Sequence, residues 1–108
     1  MLILLFVAAA ATGPISKFTP DNVKATYVSE ATAGDIERCL LDRPGLPIPE
    51  VYRQPDRPNR SMIIWKTANG VASTRVDLDS QSKGTMVTSW MDGLALTQCA
   101  PGNRSTRP

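Results

Sequence analysis

The sequence predicts an α+β domain in which one helix packs on an antiparallel sheet of three to five strands. A short C-terminal helix or strand and one disulfide complete it. Three observations carry this expectation. Asn69-Gly70 lies between two runs that alternate apolar and polar residues, the strongest short-range hairpin signal. Thr32-Ala33-Gly34-Asp35 has the form of a helix start, with a capping hydroxyl three residues before a carboxylate. Cys39 and Cys99, the only two cysteines, are placed to staple that helix to the last element.

The reading of the cysteines depends on the start of the chain. Residues 1–11 (MLILLFVAAAA) form the most apolar stretch, and an apolar run ending in small residues reads as a secretory signal peptide. Eleven residues are too few to cross a bilayer, which takes about 20. The run lacks a Lys or Arg before it, so the true start is open. The alternative is a hydrophobic first element of the fold or a membrane-associated tail. With export the pair is expected to be oxidised, and the domain is expected in the periplasm or outside the cell. Without residues 1–11 the chain is a single-domain length, at which only about 60–65% of the unfolded surface becomes buried. A crosslink is therefore useful. The arginine-over-lysine bias, eight to four, together with Ala, Pro and Asp, suits a GC-rich bacterial genome.

The elements follow in order. Residues 12–23 hold two prolines and little periodicity and read as a leader. Residues 24–28 (KATYV) favour a strand. The helix runs from Ala33 to Asp42 and places Ile36, Cys39 and Leu40 on one face; Glu30, Asp35 and Glu37 read as charges near its first turn, favoured by the helix dipole. Arg43-Pro44-Gly45 stops it. Residues 46–59 carry four prolines, and only 49–53 are expected to pair, as an edge strand. Arg43, Arg53, Arg57 and Arg60 cluster about this segment. An anion-binding loop is one reading; a solvated connector is preferred.

Residues 61–68 and 71–78 form the hairpin. A type I′ turn at Asn69-Gly70 would pair Ala68 with Val71, Trp65 with Thr74 and Ile63 with Val76. One face then carries Ile63, Trp65, Val76 and Leu78, and the other Met62, Ile64, Lys66, Ser73, Arg75 and Asp77. Residues 85–91 (TMVTSWM) give the next strand. Pairing Leu78 with Thr85 adds Val87 and Met91 to the first face, and Met86, Thr88 and Trp90 to the second. Residues 94–100 are helix or strand, with helix preferred and Asp92 as its cap. Residues 101–108 are polar and expected to be disordered. Residues 24–100 thus form one α+β domain.

The chemistry is constrained most by the absence of histidine. It removes Ser-His and Cys-His activation and histidine-based acid–base work. No catalytic residue, cofactor or metal is expected, since two cysteines without histidine make poor zinc ligation. Ser80-Gln81-Ser82-Lys83 matches S-x-x-K, but in an exposed turn rather than at the start of a buried helix. Asp77 and Asp79 share a face without a cleft between them. Asn59 and Asn103 head N-x-S sequons, of consequence only in a eukaryotic secretory pathway. Twelve Lys and Arg against ten Asp and Glu are too balanced to suggest nucleic acid or a membrane surface.

The second sheet face is less ordinary. Met62, Ile64, Arg75, Met86 and Trp90 fall opposite the helix-packed core, where a two-layer sheet is usually polar. Apolar patches of this kind mark interaction sites, unless another segment such as the C-terminal helix or the 24–28 strand covers the face. The expected function is a non-catalytic interaction module, binding a protein partner or a second copy through that face. A periplasmic inhibitor of a hydrolase is the alternative, or a small-ligand carrier using the space between helix and sheet.

Overall fold

The computed structural model describes residues 17–91 and 93–102. The apolar run 1–11, residues 103–108 and Asp92 lie outside them. A 3₁₀ turn at Pro20–Asn22 precedes β1 (Ala25–Ser29), α1 (Ala33–Leu41), β2 (Glu50–Gln54), β3 (Arg57–Lys66), β4 (Ala72–Ser80), β5 (Thr85–Ser89) and α2 (Leu94–Cys99). The strands form one sheet in the order β1-β5-β4-β3-β2, with every pair antiparallel.

The first helix begins where its sequence places it. The Thr32 hydroxyl accepts a hydrogen bond from the Asp35 amide at 3.1 Å, satisfying one of the unpaired donors of the first turn. Ile36 and Leu40 are fully buried and meet Ile63, Val76, Leu78 and Val87 from alternate positions of the sheet. Cys39 is bonded to Cys99, with Cα atoms 5.4 Å apart, which ties α1 to α2. The chain end is fixed further by Tyr27, whose hydroxyl donates to Ala100 O at 2.6 Å, and by Ser29, whose hydroxyl donates to Pro101 O at 2.6 Å. Gly102 bridges to Ser29, so the packed chain extends into the first two residues of the polar tail. Residues 94–100 resolve as a short helix. Gly93 holds its cap position, without a side-chain bond, in place of the expected Asp92.

The central hairpin has the expected register and a different turn. Trp65 pairs with Thr74 and Ile63 with Val76, but Lys66 pairs with Ala72. Gly70 alone has a positive φ, 82°, whereas type I′ requires it at Asn69 as well. The Gly70 amide donates to Thr67 O at 2.9 Å, and the Thr67 amide to Val71 O at 2.8 Å. The loop is therefore three residues long. Ser73 is the extra residue of a bulge on β4 and donates its hydroxyl to Trp65 O. Loop and bulge offset each other, so the expected faces survive.

The β4–β5 register is also shifted. Leu78 pairs with Val87, and Ser80 with Thr85, two residues from the expected pairing. An even shift keeps every side chain on its face. The shift follows from a four-residue turn in which the Gln81 amide donates to Gly84 O. Gly84 has φ 86°, and a Cβ there would lie 2.2 Å from Ser29 O. Only glycine allows this turn to press against β1.

The proline-rich segment is more ordered than a connector. β2 is the expected edge strand, but β3 begins at Arg57 rather than Ser61, so Pro55-Asp56 makes a tight turn between them. Pro58 is tolerated because residues 57–60 run exposed at the end of the strand. Glu37 also departs from its expected role. It is 8% exposed and faces the sheet, where Oε2 accepts from the Ser61 hydroxyl at 2.7 Å and Oε1 pairs with Arg53. A carboxylate read as a first-turn charge favoured by the helix dipole instead joins α1 to β2 and β3.

Candidate functional site

The side of the sheet away from α1 and α2 carries the even-numbered residues of β2, β3 and β5, alternating along each strand with the core residues. Cross-strand pairing arranges them in rows. Tyr52 lies beside Met62, then Asp77, then Thr88; Glu50 lies beside Ile64, then Arg75; Arg60 lies beside Asp79, then Met86, then Val28. The odd residues of β4 belong to this side as well, because the sheet pairs odd with even there.

Three ion pairs hold this face within and between the rows. Arg75 grips Asp77 through Nε and Nη2, at 2.7 and 2.8 Å, the bidentate fork that arginine geometry favours. Lys66 Nζ lies 2.9 Å from Glu50 Oε1, and Arg60 Nε lies 3.5 Å from Asp79 Oδ2. The Tyr52 hydroxyl also donates to Glu50. That hydrogen bond first, and Lys66 second, hold the Glu50 carboxyl below its usual range. Glu50, with a smaller contribution from Tyr52, raises Lys66 in turn. This cluster fastens the edge strand β2 to β3. Among these charges Met62 and Met86 are half-buried, and Ile64 is 4% exposed.

The face is concave. A depression of about 740 Å³ is lined by four of the five expected residues, Met62, Ile64, Arg75 and Met86, together with Tyr52 and Thr88. Arg53, Arg57 and Arg60 lie along its end at the β2–β3 turn, while Arg43 is not part of it. The arginines read as a connector's charges thus reach the candidate site. Strand parity could have placed Arg60 there, had β3 been extended to Arg57.

Trp90 lines a different depression from the other four and meets them through Arg75. It lines a neighbouring depression of about 540 Å³ with Pro20, Val23, Thr26 and Thr88. Its indole Nε1 donates to Thr19 O at 2.9 Å and to Asn22 Oδ1 at 3.0 Å, and Phe18 packs edge-on at 5.8 Å between centroids. The Arg75 guanidinium lies 4.9 Å from the Trp90 ring centre and 6.0 Å from that of Phe18. Residues 17–22 therefore cover the Trp90 end of the face. This cover comes from the leader, not from the C-terminal helix or β1. The Thr19-Pro20-Asp21-Asn22 sequence signals a local turn, in which Asn22 Oδ1 accepts from the Thr19 amide and hydroxyl, but not its contact with Trp90.

The space between helix and sheet is filled by Ile36, Leu40, Ile63, Val76, Val87 and Leu96, all fully buried. Asp77 and Asp79 are each engaged by an arginine rather than facing each other across a cleft. Ser80 ends β4, and Lys83 is exposed in the turn after it. Among the described residues no three potential metal ligands come together, and no helix is long and apolar enough to cross a membrane. Comparison with known protein families, with curated proteins and with solved structures finds no match to this chain.

Proposed function

We propose that this chain is an exported, non-catalytic interaction module that receives a protein partner on the open face of its sheet. The observation that carries the reading is the concave depression floored by Met62, Ile64 and Met86. Methionine, with its flexible and polarizable side chain, suits a surface that must adapt to a partner, and Met and Arg are enriched at interface cores. The apolar run 1–11 and the disulfide support export, and the absence of histidine supports a role without catalysis.

Crosslinking in periplasmic extract tests the reading. Wild-type protein should capture a partner that a Met62→Gln/Met86→Gln variant of unchanged melting temperature does not. Equal capture by both would sink it. Capture of a second copy alone, read from the mass of the crosslinked species, would identify self-association as the use of the face.

A second reading is favoured by the depression's size, which falls in the range of small-ligand sites, about 300–1,000 Å³. A carrier would hold its ligand on the open face rather than between helix and sheet. Native mass spectrometry of freshly purified protein should then show an added mass that the double glutamine variant lacks.

A further inference from the structure

The depression is not electrically symmetric along its length. It follows β3 from Arg57, at the β2–β3 turn, to Gly70, at the β3–β4 turn. Toward the Gly70 end the cations are satisfied: Lys66 by Glu50, and Arg75 by both oxygens of Asp77. Toward the other end only Arg53 is, by Glu37. Arg60 makes a looser pair, Nε to Asp79 Oδ2 at 3.5 Å, with no hydrogen-bonded fork like that of Arg75. Arg57 has no carboxylate partner among the described residues and is exposed. Guanidinium groups with free N–H donors recognise carboxylates in a planar, bidentate manner. Between the two ends, Met62, Ile64 and Met86 offer apolar surface.

We infer that the partner binds through an extended segment that is acidic at one end and apolar at the other. Its carboxylates lie against Arg57 and Arg60, and its apolar side chains lie over Met62 and Met86. This rests on the open face being the binding face. The polarity of the groove sets the direction in which the segment runs. The Gly70 end repels no charge but has no unengaged cation to offer, so a reversed segment leaves its carboxylates unpaired.

Methionine methyl resonances of the oxidised full chain read this directly, because Met62 and Met86 line the groove whereas Met91 is buried in the core. The probes are three peptides titrated to millimolar concentration: acetyl-Glu-Glu-Leu-Val-Leu-amide and its Gln-Gln and Lys-Lys counterparts. The Glu-Glu peptide should shift Met62 and Met86 without Met91 and bind at least tenfold more tightly than the Lys-Lys peptide. An Arg57→Gln/Arg60→Gln variant should reduce that preference at least fivefold. A spin label on the acidic end should broaden the amides of Gln54 and Arg57 more than that of Gly70. Equal affinity of all three peptides at the two methyls would leave the binding face standing and overturn the acidic partner. Stronger broadening at Gly70 would overturn the direction. No shift at Met62 or Met86 with any peptide would overturn both the inference and the face on which it rests.

Discussion

Met62 and Ile63 are adjacent in the chain and belong to different parts of the molecule. Ile63 is fully buried beneath α1 with Val76 and Val87. Met62 is half-buried on the opposite side, beside Tyr52 and Asp77. The helix side is a closed apolar layer crossed by one buried carboxylate and a disulfide. The open side mixes Met62, Ile64 and Met86 among other apolar residues with three ion pairs of the described residues, and is held mainly by cross-strand neighbours. One set of strands serves both, because side chains alternate. Under the proposed function, stability and recognition are therefore separable at single-residue resolution along the middle of β3, with Ile63 and Trp65 carrying one and Met62 and Ile64 the other.

The largest test of that separation is the disulfide, which belongs wholly to the helix side. The bond closes a 60-residue separation, and in the chain-entropy model that is worth about 4 kcal/mol. Reduction, or Cys39→Ser with Cys99→Ser, should lower the denaturant midpoint accordingly. A stability unchanged by reduction would mean that the apolar layer alone holds the helices. Next, Ile63→Ala should cost about 3 kcal/mol through the cavity it leaves, whereas Met62→Ala should cost less than about 1 kcal/mol and weaken partner binding. If chemical denaturation gave the two variants equal losses, the division between faces would fail.

A smaller effect is expected at Glu37, which crosses the helix–sheet interface. Glu37→Ala strands the Ser61 hydroxyl and frees Arg53, at a cost of about 1–2 kcal/mol, since Arg53 is largely exposed and its pairing is screened. Glu37→Gln should recover part of the loss by keeping the Ser61 bond. The smallest effect belongs to the open side. The lowered Glu50 pKa makes its contribution present above the usual 4.5 and lost as pH falls through the lowered value; the raised Lys66 pKa makes its contribution present below the usual 10.5 and lost as pH rises through the raised value. The hydrogen-exchange protection factors of the β2 amides, the intrinsic rate at each pH divided by the observed rate, should be highest between these limits and fall on both sides. A flat profile would remove the Tyr52–Glu50–Lys66 cluster as the fastening of β2.

Local chemistry explains which parts of this were legible in the sequence. Thr32 and the Ile36/Leu40 spacing defined α1, because capping and helical period are properties of neighbouring residues. The two hairpin faces were legible because period 2 survives both a compensated bulge at Ser73 and an even shift at Gly84. The turn itself was not: Asn69-Gly70 signals a reversal, while its length depends on how Thr67 and Val71 pair. Glu37 was misread because its partners, Arg53 and Ser61, lie on strands whose approach depends on the whole sheet. The candidate face followed from parity, but not its cover. Nothing in residues 17–22 indicates a bond to an indole some seventy residues further on, and the arginines of the 46–59 segment reached the groove only because β3 extends to Arg57.

The sheet order has a temporal consequence. Among the described residues β1 is the first strand made, and its only strand partner is β5, with Ala25 opposite Ser89. Further ties from Tyr27 and Ser29 reach Ala100, Pro101 and Gly102, and Cys39 must wait for Cys99. During synthesis or translocation the first strand and helix thus emerge well before any of these partners, while the β2–β3–β4 meander can close on itself early. Pairing across such sequence distances is the slow class of folding event. The meander is then the natural template, and the two chain ends are sewn onto it last. Oxidation, with these two cysteines, has no wrong intramolecular pairing to make, so the bridge can mark completion of the fold without ever misdirecting it.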